Sequence, residues 1–509
     1  MPSRRNTSEL ESAKSLWSLR RYDEALEAFA RALKRAPNDE VALVDAARAF
    51  GLRYDYPRAE KLIDRLLRVH GSRPEIQCLC GETYRMLGRF REAAACFERA
   101  CAARGGVPRA RVELAEMYER LHDLDRASAE ATAALACDRG FARAALVKAR
   151  VHRRRGEFED ALRVLAEQLA VPPPKPDVEA SLWGERALAY DQLGEYDKAF
   201  EAASAGKRIL RAQERGPLER SEAIRRQSER MLGEITAKHF QRWRDALPDA
   251  PPLPVALLTG HPRSGTTLLE QVLDSHQGLV SSDERQVFAD DVFPALGAGL
   301  SPADYAMPGM LDQTPDKRVL AERARYFRYV EALLGEPVGD RVHLDKNPEL
   351  TLLIPAMLRV FPELKVIVAV RDPRDVVVSC FMRPMPLNSV TVNYLTLERT
   401  AEKYALMMGG WIRMRQLMAS PWLEIRYEDV VCDLETQARR ALDFLQLPWD
   451  DRVLQFHEHA RQKHVRSPTY DDVTSPVYGS AMGRWRNYAK YLEPAMDKLE
   501  PFLAEFGYG

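Results

Sequence analysis

The chain has 509 residues, enough for two or three domains, and 46% of them are apolar, which is ample for sizeable cores. Lys plus Arg and Asp plus Glu each number 75, so the formal net charge is zero. General binding to nucleic acid or to a membrane surface needs an excess of cations, so this balance argues against both as the main role. It leaves room for one local basic pocket.

No targeting or membrane segment is predicted. The N-terminal residues MPSRRNTSELESAK have no apolar core after their arginines. The longest apolar runs, such as residues 366–370, have the length of a strand, far short of the roughly 20 residues that cross a bilayer. Seven scattered cysteines without a CxxC pair are interpreted as small buried residues in a reducing compartment. We therefore expect a cytoplasmic protein without a metal.

A period of about 34 residues runs through the N-terminal part. Small residues recur at equivalent positions, usually followed by an apolar residue four places on, and an insertion at 171–177 lengthens the last step to 38. The small residues are Ala25, Ala59, Ala93, Ala127, Ala161 and Ala199. The pattern resembles tetratricopeptide repeats, which implies antiparallel helix pairs that stack into a superhelix because one pair cannot bury its apolar face alone.

We expect five to six such units in residues 1–210. Their concave groove is interpreted as a site for a polypeptide partner or substrate; the alternative is a stabilising or dimerising appendage. Residues 211–254 are predicted to be a linker with one amphipathic helix at 216–245. Four prolines within 247–254 exclude regular structure there, so an α/β domain is expected at 255–509.

The α/β domain begins with a sequence typical of a phosphate-binding loop. Residues 255–267 run VALLTGHPRSGTT and lead into a helical pattern. A strand, a glycine-rich loop and a helix direct backbone N–H groups at an anion. The two glycines and the last threonine fit the nucleotide pattern GxxxxGK[ST], but Thr266 replaces the lysine on which kinases and ATPases depend. We therefore expect a shorter 5′ anion, with Arg263 supplying the cation.

A second strand and helix carry another set of anion ligands. The strand at 365–370 ends at Arg371, and Ser379 follows two turns into a helix. Arg383 is four residues further on and is predicted to share the helix face of Ser379. Two arginines and a hydroxyl suit a phosphate monoester. Taken alone, this motif is equally compatible with a surface ion pair.

Together the two motifs resemble the sulfotransferase superfamily, over residues 255–491. The resemblance implies that 3′-phosphoadenosine 5′-phosphosulfate (PAPS) is the donor, with its 5′-phosphosulfate on the first loop and its 3′-phosphate on the second motif. The product would be 3′-phosphoadenosine 5′-phosphate (PAP), and no metal is needed. The nucleotide ligands implied are Arg263, Ser264, Gly265, Thr266, Thr267, Arg371, Ser379, Arg383, Tyr427, Ser467 and Arg484.

Within the superfamily the chain is most similar to protein-tyrosine sulfotransferases. The similar segments are PRSGTTL at 262–268, LDSH at 273–276, DE at 283–284, DKNP at 345–348, RYE at 426–428, RS at 466–467 and RW at 484–485. Carried over, the resemblance implies Glu284 as the base, with Asp283 as the alternative. The remaining catalytic residues that it implies are Arg263, Lys346 and Ser467.

Two departures from the family concern the acceptor. Gln286 stands where the family has an arginine for acceptor binding, and the segment 466–478 is about two residues longer than its counterpart. A tyrosine of a polypeptide held by the repeat groove is the leading acceptor, while carbohydrate, lipid and small phenols stay open. The oligomeric state, a homodimer included, is also open. Two competing hypotheses are a non-catalytic repeat scaffold with a degenerate sulfotransferase half and a P-loop kinase or ATPase. Thr266 argues against the second, because such enzymes need a lysine at its position.

Overall fold

The computed structural model describes residues 4–509 except 104–106, 172–174, 248–250, 302–306, 464–478 and 480, and only the backbone of 4–7 and 461–463. The chain forms two compact units. One consists of Met1–Pro174 with Ala332–Glu336, and the other of Lys175–Glu331 with Pro337–Gly509.

The first unit is built from consecutive antiparallel helix pairs. Its repeated alanines are fully buried, so each pair of helices can approach closely. Gly81 has the same role, since a Cβ atom there would lie 2.7 Å from the ring of Phe97 on the next helix. The helices are α1 (Arg4–Ser18), α2 (Tyr22–Arg35), α3 (Glu40–Leu52), α4 (Tyr56–His70), α5 (Pro74–Leu87), α6 (Phe90–Ala102), α7 (Pro108–Arg120), α8 (Leu124–Cys137), α9 (Ala142–Arg154) and α10 (Phe158–Leu169).

The sixth helix pair belongs to the second compact unit, although it continues the repeat pattern. It comprises α11 (Pro176–Gln192) and α12 (Tyr196–Arg211). The single helix expected at 216–245 is instead two helices, α13 (Arg215–Glu234) and α14 (Ala237–Asp245). The helix is broken because Thr236 has extended backbone and caps α14 in a reciprocal pair with His239. The limits 1–210, 211–254 and 255–509 remain our proposal for the sequence domains.

A five-stranded sheet forms the centre of the second unit, and all its described pairings are parallel. Its order is β2-β3-β1-β4-β5, so the strand order reverses beside β1, and in open α/β sheets ligands bind in the crevice at such a position. The strands are β1 (Val255–Gly260), β2 (Leu279–Ser281), β3 (Val342–Lys346), β4 (Lys365–Val370) and β5 (Trp422–Arg426). The predicted fold class, helical repeats followed by a mainly parallel α/β domain, is confirmed.

Helices cover both faces of this sheet, as buried parallel strands require. The helices of this part of the chain are α15 (Thr266–Asp274), α16 (Phe293–Leu296), α17 (Met307–Gln313), α18 (Asp316–Leu334), α19 (Ile354–Val360), α20 (Pro373–Met382), α21 (Leu397–Leu417), α22 (Tyr427–Cys432), α23 (Leu434–Leu445), α24 (Phe456–Lys463), α25 (Ala489–Leu492) and α26 (Met496–Glu505). All seven cysteines are unpaired; Cys137 and Cys432 are exposed, against the expectation that the cysteines are buried.

Candidate nucleotide and catalytic site

The loop between β1 and α15 has a backbone that only particular residues permit. Gly260 has φ of 140°, and a Cβ atom there would lie 2.3 Å from the backbone oxygen of Ala369 on β4. Gly265 caps α15 with φ of 90° and lies against the ring of Tyr427. Arg263 has φ of 75°, a left-handed conformation that is unfavourable for a non-glycine residue. The loop is therefore held at the start of a helix whose first N–H groups have no intrahelical acceptor.

Polar side chains of this loop are buried. Ser264 is 1% exposed, and its Oγ has no hydrogen-bond partner among the described residues. Thr266 and Thr267 are also buried, on the first turn of α15. A buried hydroxyl without a partner costs free energy unless a ligand or water satisfies it. Ser264 therefore fits a loop that receives an anion.

The second motif meets this loop directly. Arg263 donates from Nε to Oγ of Ser379 over 3.1 Å. Arg371 donates from Nη1 to the backbone oxygen of Arg263, also over 3.1 Å. The Arg371 guanidinium lies 4.7 Å from the centre of the Tyr427 ring, which is the ring that borders Gly265. The structure thus brings together five residues predicted from three motifs that lie between residues 262 and 428.

Arg371 is 6% exposed and is held on its other side by a buried carboxylate. Its Nη2 lies 3.8 Å from Oδ2 of Asp375, and its Nε has no partner among the described residues. Burial raises the pKa of Asp375, while Arg371 and two backbone N–H groups oppose the shift. Those N–H groups belong to Gly483 and Trp485, which donate to the carboxylate over 2.7 Å each. A buried guanidinium whose Nε–H group has no partner among the described residues is suited to bind an incoming anion.

A cluster of charges lies at the end of β3. Lys346 is fully buried, and its Nζ lies 2.8 Å from Oε1 of Glu284, 3.0 Å from Oε2 of Glu270 and 3.4 Å from Oδ1 of Asp283. Burial alone would lower the pKa of Lys346, but the three carboxylates raise it well above its ordinary value. The side chain is therefore an ammonium at neutral pH.

The three carboxylates around Lys346 differ in access. The side chain of Glu270 is fully buried and that of Asp283 is 11% exposed, whereas that of Glu284 is 32% exposed. Asp283 also has a left-handed backbone, with φ of 61°. The Glu284 carboxylate is therefore the most accessible of the three to an external hydroxyl. The sequence interpretation missed Glu270, although its position four residues after Thr266 places it on the loop-facing side of α15.

Two predicted ligands, Arg383 and Arg484, are placed differently from the others. Helix α20 ends at Met382, so Arg383 has extended backbone and does not share a helix face with Ser379. Arg484 directs its guanidinium at Asp191 on α11, with Nη2 2.6 Å from Oδ2. Its contact with a phosphate stays a prediction. Ser467 lies outside the described residues.

One cluster of metal-ligand type occurs in the described part of the chain, and it lies in the repeat unit. His152, Glu157 and Asp160 bring three ligand atoms within 4.8 Å of one another. Each already has a protein partner, because His152 binds Glu157 over 2.5 Å and Asp160 binds Arg163 over 2.6 Å. Across the described residues, no helix combines the length and the apolar character needed to span a membrane.

Comparison with protein-family models gives two kinds of match. Residues 254–451 match the sulfotransferase family model, and this range contains Arg263, Glu284, Lys346, Arg371 and Ser379. Residues 16–81, 81–145 and 146–214 match tetratricopeptide repeat models. The family models thus match tetratricopeptide repeats followed by a sulfotransferase region, which confirms the resemblance inferred from the motifs.

Curated relatives agree with this assignment. An uncharacterised protein of Aquifex aeolicus is 26% identical over 67% of this chain, which spans only 44% of that relative's length. Protein-tyrosine sulfotransferase A of Caenorhabditis elegans is 26% identical over 50% of this chain and 67% of its own. Protein-tyrosine sulfotransferase 1 of Danio rerio is 27% identical over 50% of this chain and 72% of its own.

Proposed function

We propose that this protein transfers a sulfuryl group from PAPS to an acceptor hydroxyl, with a tyrosine of a polypeptide as the leading acceptor. The observation that carries the proposal is the contact of Arg263 with Ser379 and Arg371, which joins a lysine-free phosphate loop to a second basic site. A nucleotide with anions at both its 5′ and 3′ positions needs two such sites side by side. The sulfotransferase family match and the tyrosine sulfotransferases among the relatives support the same reaction.

The donor would lie at the crevice beside β1. Its 5′-phosphosulfate would accept hydrogen bonds from the loop and from the first turn of α15, with Ser264 supplying the buried hydroxyl that lacks a partner. Its 3′-phosphate would be held by Arg371 and Ser379, and Tyr427 would border the nucleotide. Thr266 at the lysine position removes the cation with which P-loop enzymes hold a γ-phosphate. PAPS has no γ-phosphate for a magnesium ion to bridge, so we expect it to bind without magnesium.

The transfer step follows from the cluster around Lys346. A phenol has a pKa of about 10, so Glu284 would take its proton as the oxygen attacks sulfur. The new O–S bond forms as the bond from sulfur to the bridging oxygen of PAP breaks, and the electron pair leaves with PAP. Lys346 and Arg263 would stabilise the negative charge on that leaving oxygen. No covalent enzyme intermediate is required, and positioning supplies most of the acceleration.

The repeat array would serve the acceptor. Stacked helix pairs create an extended concave surface, which suits a polypeptide better than a small phenol. A non-catalytic scaffold is the second candidate function, and it would require a degenerate catalytic region. The ion pair of Glu284 with Lys346 and the contacts of Arg263 with Arg371 and Ser379 count against that alternative.

Calorimetric titration with PAP tests the proposal. We expect magnesium-independent binding to the full-length chain and roughly 10- to 100-fold weaker binding to Arg371→Ala, the loss expected for hydrogen bonds to a charged group. Arg225→Ala is the matched control, because Arg225 forms an exposed ion pair with Glu229 within α13. Failure of the folded wild-type protein to bind PAP would overturn the proposal, as would ATP binding that depends on magnesium.

A further inference from the structure

The sixth helix pair packs against the α/β part through a buried carboxylate. Asp191, in α11, is 8% exposed. Arg484 donates to Oδ1 of Asp191 from Nε over 3.2 Å, and its Nη2 lies 2.6 Å from Oδ2. Tyr488 also donates its hydroxyl hydrogen to Oδ1. A buried carboxylate needs such partners, and a guanidinium provides two parallel donors that an ammonium cannot.

This carboxylate connects to the predicted donor site through a short segment. Arg484 begins the segment 484–488, a 3-10 turn. Directly before and within it, the backbone N–H groups of Gly483 and Trp485 donate to Asp375. Asp375 lies 3.8 Å from Arg371. Asp191 therefore anchors a segment that in turn holds the carboxylate facing Arg371.

The same helix pair reaches the other end of α20. Lys207, in α12, is 6% exposed and donates from Nζ to the backbone oxygen of Arg383 over 3.0 Å. Burial lowers the pKa of Lys207 to about 8. Beside it, Gly184 of α11 approaches so closely that a Cβ atom there would lie 2.5 Å from Pro384. The turn after α20 is thus fixed by α11 and α12 together.

We propose that Asp191 and Lys207 are positioning residues of the nucleotide site, so that the sixth helix pair is a working part of the donor site. Asp191 holds Arg371 in place through Arg484 and Asp375. Lys207 fixes Arg383, the residue that follows α20, and with it the end of α20 that carries Ser379. Neither residue contacts the donor itself. This inference rests on the proposed function, in which that end of the site binds the 3′-phosphate.

The inference predicts an effect on the 3′-phosphate alone. We would titrate wild type, Asp191→Asn and Lys207→Met with PAP, and with AMP as a competitor of PAP, since AMP lacks the 3′-phosphate. PAP affinity is expected to fall roughly 10-fold in each variant. This is the lower end of the loss seen in metalloproteins when a residue that orients a metal ligand, without touching the metal, is replaced. AMP affinity is expected to stay as in wild type. A purely structural role would weaken both ligands together.

Asp197→Asn is the matched control. Asp197 is in α12 and binds Lys490 over 2.7 Å and Tyr491 over 2.9 Å, but its side chain is 62% exposed and touches no predicted ligand. It should leave both affinities unchanged. Wild-type PAP affinity in Asp191→Asn and Lys207→Met, or equal losses of PAP and AMP, would overturn the inference. Absence of PAP binding to wild type would overturn the proposed function instead.

Discussion

Nζ of Lys346 lies 2.8 Å from Oε1 of Glu284, and the same ammonium contacts Glu270 and Asp283. One cation thus meets three carboxylates, while two arginines, Arg263 and Arg371, lie at the neighbouring phosphate loop. The site has a negative part, suited to receiving a proton from an acceptor, and a positive part, suited to an anionic donor. This separation of charge agrees with sulfuryl transfer and gives each part its own test.

Glu284→Gln should abolish most of the activity without weakening the donor. An amide cannot take the acceptor proton, so the turnover number for labelled PAPS is expected to fall roughly 10²- to 10⁴-fold. PAP affinity by calorimetry should be unchanged, because Glu284 lies on the acceptor part of the site. Asp283→Asn is the matched comparison: a larger loss in that variant than in Glu284→Gln would make Asp283 the base.

Lys346→Met should destabilise the second compact unit strongly. Removal of the ammonium leaves a buried group of carboxylates uncompensated, which typically costs about 3–5 kcal/mol of unfolding free energy. Six of the seven tryptophans lie in this unit, so denaturant unfolding can be followed by their fluorescence. Lys498→Met, which breaks an exposed pair with Asp497, should cost less than about 1 kcal/mol.

The pH dependence of this loss follows from the raised pKa of Lys346. The folded state holds the proton more tightly than the unfolded state, whose lysine pKa is the ordinary 10.5. The stabilisation by Lys346 is therefore fully present below that value and is lost only as the pH rises above it. Between about pH 6 and 9 Lys346 stays charged, so the wild-type advantage over Lys346→Met should not decline. A steep decline within this range would contradict the assignment.

Asp345→Asn should stabilise the protein more at alkaline pH than at acid pH. Burial raises the pKa of Asp345 from 3.8 to about 7, although a hydrogen bond from Tyr326 and the charge of Lys346 oppose the shift. Between these values the folded state binds more protons than the unfolded state, so wild-type stability falls as the pH rises. Asparagine cannot ionise but can still accept from Tyr326.

The measurement for Asp345→Asn is the difference in unfolding free energy from wild type at about pH 4 and pH 8. From about pH 4 to pH 8, the unfolding free energy of the variant relative to wild type should rise by on the order of a few kcal/mol. Tyr326→Phe is the control for the hydrogen bond, because it removes the donor without removing the carboxylate. A difference that does not change with pH would contradict the prediction.

Gly260→Ala should lower the free energy of unfolding more than Gly194→Ala, because Gly260 has crowded surroundings and Gly194 has open ones. Gly194 has φ of 76° and nothing within 4 Å of an added Cβ atom, so Gly194→Ala should cost only the left-handed backbone, about 1–2 kcal/mol. Gly260 adds a collision with the Ala369 backbone, which cannot move aside as a flexible side chain can, at about 1–3 kcal/mol more. Denaturant midpoints of the two variants decide; equal losses would contradict the expectation.

The sequence alone determined the features that depend on local spacing. The 34-residue period follows from helix pairs that repeat the same packing, so the alanines at crossings could be predicted and are fully buried. The phosphate loop could be recognised because its glycines and helix start lie within a few residues. The sequence also predicted that Arg371 and Ser379 lie near each other, because about two turns of a helix separate them.

Tertiary structure decided the features that depend on contacts between distant segments. Sequence spacing could not show that Glu270 and Asp283 share Lys346, or that Asp191 takes the guanidinium of Arg484. It also missed that α20 stops before Arg383, where Lys207 binds the carbonyl oxygen of that residue. A buried charge needs a partner because its desolvation costs free energy, and the fold supplies that partner from a distant segment of the chain. Local periodicity does not show which segment this is.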